Sequence, residues 1–146
     1  MTVVAVSGGF DPVHVGHIYH LREAKSLGDR LLVILHSDRW LINKKGFVFM
    51  PYEERKAILE SIRYVDEVVP TVDDDPSVSQ SLEYYKPDVF AKGGDRIEGN
   101  LPQRELDVCR KHGIKIVYGV GGKKIQSSSE LTRKLQEKGS KANQIS

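Results

Sequence analysis

The sequence contains a single cysteine, Cys109, among its 146 residues. One thiol excludes an internal disulfide framework and a cysteine-rich structural zinc site, so we expect Cys109 to take part in helix packing. Long apolar runs are also missing, since none approaches the roughly 20 residues that a membrane-spanning helix needs. The N-terminus lacks the basic and then apolar pattern of a secretory signal peptide. We therefore expect a cytoplasmic protein with no membrane partner.

An excess of charge of one sign is absent as well. The 22 basic and 20 acidic residues leave a formal net charge of +2. Bulk charge therefore gives no support to nucleic-acid binding, and any anion site must come from local clustering. Apolar residues at 39% and charged residues at 29% are typical of a globular chain. The length fits one domain, which we place at residues 1–137, followed by an aperiodic tail at 138–146 that we expect to be flexible.

Apolar runs alternate with amphipathic stretches along the chain. The predicted strands lie at 3–6, 31–35, 68–69, 88–91 and 114–118. The predicted helices lie at about 15–27 and 52–63, from Asp75-Pro76 onward, and at about 102–112 and 128–137. Asp75-Pro76 pairs an N-cap residue with proline at the first helical position. The alternation predicts an α/β fold: a Rossmann-like, doubly wound, five-stranded parallel sheet with helices on both faces and ligands at the carboxyl ends of the strands.

The segment between the first predicted strand and helix lies where such a sheet places its main anion site. It reads Gly8-Gly9-Phe10-Asp11 and then His14-Val15-Gly16-His17. Adjacent glycines let a phosphate approach the backbone, and the start of a helix carries unpaired amides and partial positive charge. The two histidines are three residues apart, so both rings can face one ligand. Glycine in a helical turn costs about 1 kcal/mol relative to alanine, which indicates that something needs the space beside Gly16.

This segment resembles the signature of the cytidylyltransferase-like nucleotidyltransferases, Gly-x-Phe-Asp followed by His-x-Gly-His. The resemblance implies that His14 and His17 contact the nucleotide phosphates and the transition state. It also implies that Gly8, Gly9, Phe10 and Asp11 form a phosphate loop, and that Gly16 packs beneath the base or ribose. The alternative is a plain glycine turn that starts a helix bearing two surface histidines.

Two lysines, Lys44 and Lys45, follow the second predicted strand in a connection of about 15 residues, longer than usual for such loops. We interpret this connection as a substrate lid, in which both lysines supply charge to phosphates during catalysis. We expect Asp38, Lys45 and Arg55 to bind the acceptor substrate. A lysine pair is otherwise an ordinary solvated feature.

Three later segments extend the resemblance to residue 135 or so. Residues 51–70 look like glycerol-3-phosphate cytidylyltransferase, and residues 86–95 are similar to the adenylyltransferase domain of ADP-heptose synthase. In the second segment Gly93 permits close approach of a nucleotide, and Asp95 orders the loop or meets ribose or substrate; an ordinary turn is the alternative. Three serines resemble the family's triphosphate-binding Ser-Thr-Thr box, although a plain N-cap explains one of them: Ser127, Ser128 and Ser129. The Arg-Thr-x-Gly that precedes the box in cytidylyltransferases is replaced by Gly121-Gly122-Lys123-Lys124, which leaves base recognition open.

These residues predict transfer of a nucleoside monophosphate from a nucleoside triphosphate, with CTP favoured, to a small phosphomonoester such as glycerol 3-phosphate. The alternatives are an ATP-dependent adenylyltransferase acting on a sugar phosphate like heptose 1-phosphate, nucleotide hydrolysis, and a non-catalytic nucleotide sensor. Mg²⁺ is expected to arrive with the triphosphate, and no protein metal ligands are predicted. The resemblance also implies a homodimer.

Overall fold

The computed structural model describes residues 1–94 and 101–122. Its strands are β1 (Val3–Gly8), β2 (Arg30–Leu35), β3 (Glu67–Pro70), β4 (Val89–Gly93) and β5 (Lys115–Val120). They form one parallel sheet in the order β3-β2-β1-β4-β5. The first strand is therefore central, and the direction of winding changes beside it, where open α/β sheets bind ligands. The predicted fold class is confirmed.

The helices of the described residues are α1 (Val15–Ser26), α2 (Asp38–Lys45), α3 (Tyr52–Glu60), α4 (Ser79–Tyr85) and α5 (Gln103–His112). Four of them match predicted helices. The predicted helix at 128–137 and the predicted tail at 138–146 lie outside the described residues. Within the described ranges, no helix is both long enough and apolar enough to cross a bilayer.

The connection after β2 contains a helix, α2, so the prediction of an extended loop was wrong, whereas its interpretation as a substrate lid stays a prediction. Ser37 caps its start, with the Ser37 hydroxyl accepting from the Trp40 amide at 3.1 Å. Gly46 ends it in the left-handed conformation, with φ at 86°. A serine before a helix is a recognised start signal, and a glycine after it is a recognised stop signal. The helix places Lys44 and Lys45 in its last turn.

Helix α4 begins at Ser79, three residues after Pro76, the first helical position predicted from sequence. The cap comes from Asp73, whose carboxylate accepts from the amides of the second and third helical residues at 2.6 and 3.0 Å. Asp75 instead accepts from the Ser77 amide at 2.7 Å and so closes a local turn. The predicted cap position was wrong because Asp73, two residues before Asp75 in the chain, accepts from the first amides of the helix instead.

Alternate residues of the central strands fill two separate cores, one on each face of the sheet. One core joins side chains of β1 and β2 to α1 and α3: Val4, Val6, Leu31, Val33, Leu35, Leu21 and Leu59. The other joins the sheet to α4 and α5: Ala5, Leu32, Ile34, Phe90, Leu82 and Cys109. Cys109 is 2% exposed, in agreement with its predicted packing role. Because both faces are covered, only the strand ends are open to a ligand.

Candidate active site

The carboxyl ends of β1 and β2 meet the start of α1 at one edge of the sheet. The backbone ladder continues past β2, because the His36 amide donates to the Gly8 carbonyl at 3.0 Å. Residues 8–11, which we call the phosphate loop, leave β1 at this edge. Phe10 in this loop has a φ of 50°, a left-handed conformation that is costly for a side chain with a β-carbon.

His14 and His17 together cap the first turn of α1. His14 Nδ1 accepts from the Gly16 amide at 3.1 Å, and His17 Nδ1 accepts from the His14 amide at 3.1 Å. The two rings stack with centroids 3.8 Å apart. Since Nδ1 accepts in both, the proton of each neutral ring is on Nε2. Two ring N–H donors therefore stand side by side at the positive end of a helix, which suits phosphate oxygens.

Two glycines in this region make room for protein side chains. A β-carbon on Gly16 would lie 3.0 Å from Cε1 of His14, and one on Gly9 would lie 2.7 Å from Cδ2 of Leu41. Gly16 thus allows the His14 ring to cap the helix, and Gly9 allows the phosphate loop to pack against α2. Contact of Gly8, Gly9, Phe10 and Gly16 with a nucleotide stays a prediction.

Asp11 and Lys45 form a largely buried ion pair. Their charged atoms are 3.1 Å apart, with the Asp11 side chain 0% and the Lys45 side chain 10% exposed. The Asp11 carboxylate also accepts from the amides of Phe49 and Met50, at 2.7 and 2.5 Å. Lys45 donates in addition to the Asp11 carbonyl at 2.6 Å. The pair ties the phosphate loop to the end of α2, and its predicted ligand contacts stay predictions.

Arg55 on α3 is fully buried and links four segments of the site. Its Nη1 donates to the carbonyls of Gly9 and His36, at 2.8 Å each, and its Nε donates to the Met50 carbonyl at 2.8 Å. Its Nη2 pairs with the Asp38 carboxylate at 2.6 Å. The predicted contact of Arg55 with an acceptor stays a prediction, and this geometry weighs against it because the side chain is 0% exposed.

Of the remaining predicted site residues, some lie within the described residues and others lie outside them. Lys44 is exposed, and its Nζ lies 4.7 Å from the centroid of the Trp40 ring. A β-carbon on Gly93 would lie 2.8 Å from Nδ1 of His20, so the close approach there is made by α1. The other predicted residues fall outside the described residues: Asp95, Ser127, Ser128 and Ser129.

Sequence reasoning missed a brace between α1 and β5. His20 Nδ1 donates to the Val120 carbonyl at 2.8 Å, and the Glu23 carboxylate accepts from the Gly121 amide at 2.7 Å. Burial lowers the pKa of His20. The signal available in the sequence was the spacing, since His20 and Glu23 follow His17 at three-residue intervals on one face of the helix.

A second missed feature is the stack of His36 on Trp40. The ring centroids are 3.7 Å apart and the rings are within 7° of parallel. Burial lowers the pKa of His36 to about 3, and the positive charges of Lys44, Lys92 and Arg55 act in the same direction. His36 is therefore a neutral imidazole in a cationic surrounding. Its four-residue spacing from Trp40 was visible, but only the structure shows that α2 begins between them.

A family model described as "Cytidylyltransferase-like" matches residues 5–134. Glycerol-3-phosphate cytidylyltransferase of Bacillus subtilis is 42% identical over 95 residues, covering 65% of this chain and 73% of that protein. FAD synthase of Pyrococcus abyssi is 44% identical over 95 residues, covering 64% and 63%. Bifunctional protein HldE of Hahella chejuensis is 37% identical over 122 residues, or 82% of this chain but 23% of that longer protein.

A solved structure shares the fold. The crystal structure of the lipopolysaccharide core biosynthesis protein from Thermoplasma volcanium GSS1 superposes with a TM-score of 0.69 and 30% sequence identity, and the match covers 81% of this chain and 95% of that one.

Replacing Arg55 with lysine should lower the free energy of unfolding by about 3 kcal/mol or more, because a lysine cannot satisfy three buried carbonyls and Asp38 at once. Urea unfolding of Arg55→Lys measures the change. The matched control is Arg39→Lys at an exposed position of α2, where we expect a change within about 0.5 kcal/mol. A similar small effect at both positions would contradict the bracing role of Arg55.

Mild acid should destabilise the protein through its buried histidines. The pKa of His20 is lowered, and that of His36 falls to about 3, from an ordinary value of 6.5. Below that ordinary value the unfolded chain binds protons that the folded chain does not. The free energy of unfolding should therefore fall by up to about 1.4 kcal/mol per pH unit for each of the two groups.

Urea unfolding at about pH 7, 6 and 5 measures this slope, at pH values where most carboxylates remain ionised in both states. The variant His36→Asn removes one of the titrating groups and should give a shallower slope. An unfolding free energy that is independent of pH over this interval in the wild-type protein would show that the histidines are not held neutral.

Proposed function

Because the chain belongs to the cytidylyltransferase-like family and is a nucleotidyltransferase, we propose that it transfers a nucleoside monophosphate to a small phosphomonoester. An oxygen of the phosphomonoester attacks the α-phosphorus of a nucleoside triphosphate, the bond to the bridging oxygen breaks, and pyrophosphate leaves. The second pKa of a phosphate is about 6, so the nucleophile is already mostly deprotonated near neutrality. The site then needs positioning and positive charge rather than a strong base.

The observation that carries this proposal is the histidine pair that caps α1 beside the phosphate loop. The Nε2–H groups of His14 and His17 bind the phosphates and meet the charge that develops on them. Lys44 in the last turn of α2 supplies a cation at the surface. Asp11, Lys45 and Arg55 act indirectly, since their contacts hold the phosphate loop and the residues before α3 in place.

We propose that Mg²⁺ enters as a complex with the triphosphate. Within residues 1–94 and 101–122, no group of three histidine, cysteine or acidic side chains could hold a metal ion, and the Asp11 carboxylate is already engaged by Lys45 and two amides. These residues suit an ion bound mainly through phosphates and water. When bound, Mg²⁺ would supply charge neutralisation on the triphosphate.

Two pairs of substrates are compatible with this site. CTP with glycerol 3-phosphate is favoured by the similarity to the Bacillus subtilis enzyme. ATP with a sugar phosphate is favoured by the sequence of residues 86–95, and by the similarity to HldE, which extends over more of the chain. A homodimer and a cytoplasmic location are further proposals.

A melting-temperature screen with CTP, ATP, GTP and UTP plus Mg²⁺ identifies the nucleotide, because a ligand that binds only the folded state raises stability. Pyrophosphate release is then measured with glycerol 3-phosphate or a sugar 1-phosphate. Release that requires an acceptor supports the proposal. Release without an acceptor indicates hydrolysis, and nucleotide binding without any release indicates a sensor.

The role of His17 can be separated from its capping role with two variants. In His17→Ala we expect turnover to fall a hundredfold to a thousandfold, the loss of about 3 to 4 kcal/mol that a charge-stabilising donor contributes. The same change removes a cap and should cost about 1 kcal/mol of stability. His17→Asn retains an acceptor near the position of Nδ1, so it should recover stability without recovering turnover. Wild-type turnover in either variant would remove His17 from the reaction.

A further inference from the structure

We propose that His36 reads a hydroxyl group on the carbon skeleton of the acceptor, and that the acceptor is therefore an uncharged polyol or sugar bearing a phosphate. The inference rests on the proposed function and deepens it. It names a specificity-determining residue and excludes acceptors whose carbon skeleton carries an ammonium group.

The backbone of His36 is fixed against the phosphate loop. Its amide donates to the Gly8 carbonyl at 3.0 Å. Its carbonyl accepts from Arg55 Nη1 at 2.8 Å, and the same nitrogen donates to the Gly9 carbonyl at 2.8 Å. His36 therefore borders the loop on the side of β2 and α2, whereas the histidine pair that caps α1 borders it at the helix start. A molecule that presents its phosphate to the loop from this side places its carbon skeleton near His36.

The plane of the His36 ring is fixed as well. The ring lies flat on Trp40 at 3.7 Å. Trp40 is itself held, since its Nε1 donates to the Pro76 carbonyl at 3.1 Å and its ring packs close to Gly9. His36 is 5% exposed, and the hydrogen bonds found for it within the described part of the chain are made by its backbone amide and carbonyl. A polar ring with a fixed plane, at the edge of the phosphate loop, is suited to a ligand.

The charges around His36 determine which ligand group fits it. Lys44, Lys92 and Arg55 act on the ring together with burial, and its pKa of about 3 keeps it neutral near pH 7. A neutral imidazole offers one N–H donor and one acceptor lone pair, which is the complement of a hydroxyl. Phosphate groups are better served by the surrounding cations. An ammonium group would be repelled by them, and Asp38, the acidic residue of α2, is already paired with Arg55 at 2.6 Å.

The first test compares acceptors with the wild-type protein and the nucleotide identified above. The panel contains glycerol 3-phosphate, a hexose 1-phosphate, ethanolamine phosphate and choline phosphate. We expect the hydroxylated acceptors to be used, with kcat/KM for the two ammonium compounds at least a hundredfold lower, as when a site rejects a group it cannot pair. Efficient use of ethanolamine phosphate or choline phosphate would overturn the assignment of the acceptor class.

The second test uses His36→Phe, which keeps a ring on Trp40 but removes both nitrogens, and His36→Asn, which restores a donor and an acceptor. We expect the phenylalanine variant to raise KM for the hydroxylated acceptor about tenfold, the scale of one lost hydrogen bond. KM for the nucleotide should stay within twofold, and asparagine should recover most of the loss. The control His112→Phe changes a histidine at the far end of α5, beside Glu83, and should alter neither KM.

An acceptor that lacks the hydroxyls closes a double-mutant cycle. With propyl phosphate, which lacks both hydroxyls of glycerol 3-phosphate, the effect of His36→Phe should disappear, because the hydroxyl and the imidazole form one interaction. An equal effect on both acceptors, an unchanged acceptor KM, or a shift confined to the nucleotide KM would overturn the proposal. If the phenylalanine variant does not fold, the same KM values are compared between His36→Leu and the wild-type protein.

Failure of the proposed function gives a different result. The melting temperature measured with nucleotide and glycerol 3-phosphate reports acceptor binding without turnover. In one outcome the acceptor raises the melting temperature of the wild-type protein but not of His36→Phe, and the wild-type protein releases no pyrophosphate. This outcome would contradict transfer and still support the role of His36. A shift that is equal in the two proteins contradicts the role of His36 whether or not transfer occurs.

Discussion

The site depends on one buried cation. The Arg55 guanidinium is out of contact with water, and its burial is tolerable only because carbonyl and carboxylate oxygens surround it. Those oxygens belong to the phosphate loop, the residue after β2, the connection before α3, and the start of α2. Each of these segments lies at the end of a strand or helix or in a connection, so the buried charge that they surround also sets their relative positions.

The histidine pair at the start of α1 also forms hydrogen bonds with backbone groups, as Arg55 does. Helix starts leave amides without intrahelical partners, and here the imidazole Nδ1 atoms of His14 and His17 accept from two backbone amides. Because Nδ1 accepts in both rings, the proton of each ring in its neutral form is on Nε2. The Nε2–H group is the one that we propose binds phosphate. In the proposed function, capping and phosphate recognition therefore use opposite edges of the same rings, and Gly16 makes room for the capping ring of His14.

The sheet could be predicted from sequence because burial on two faces leaves a mark in each strand, a short apolar run without alternation. Helix α2 was missed because the length of the connection was interpreted as a lid loop, although Ser37 and Gly46 mark both helix ends. The role of Arg55 could not be predicted. Its carbonyl partner in the phosphate loop is 46 residues away in the chain, and no residue pattern records which carbonyls a fold brings together. The contributions of Asp95 and the three serines remain predictions.

At this edge of the sheet, some cationic side chains are paired with groups of the protein, and others lie at the surface, where a ligand can reach them. Lys45 is paired with Asp11, and Arg55 is paired with Asp38 and donates to three carbonyls, so the polar groups of both side chains are engaged within the protein. In the proposed function, the groups of the described residues that face the ligand are the imidazoles, the helix and loop amides, and Lys44 at the surface. Fixed dipoles of this kind need little reorganisation as charge moves from the attacking to the leaving oxygen. In the proposed function, a site of this kind recognises phosphates by position, and uncharged groups that border the loop select the acceptor.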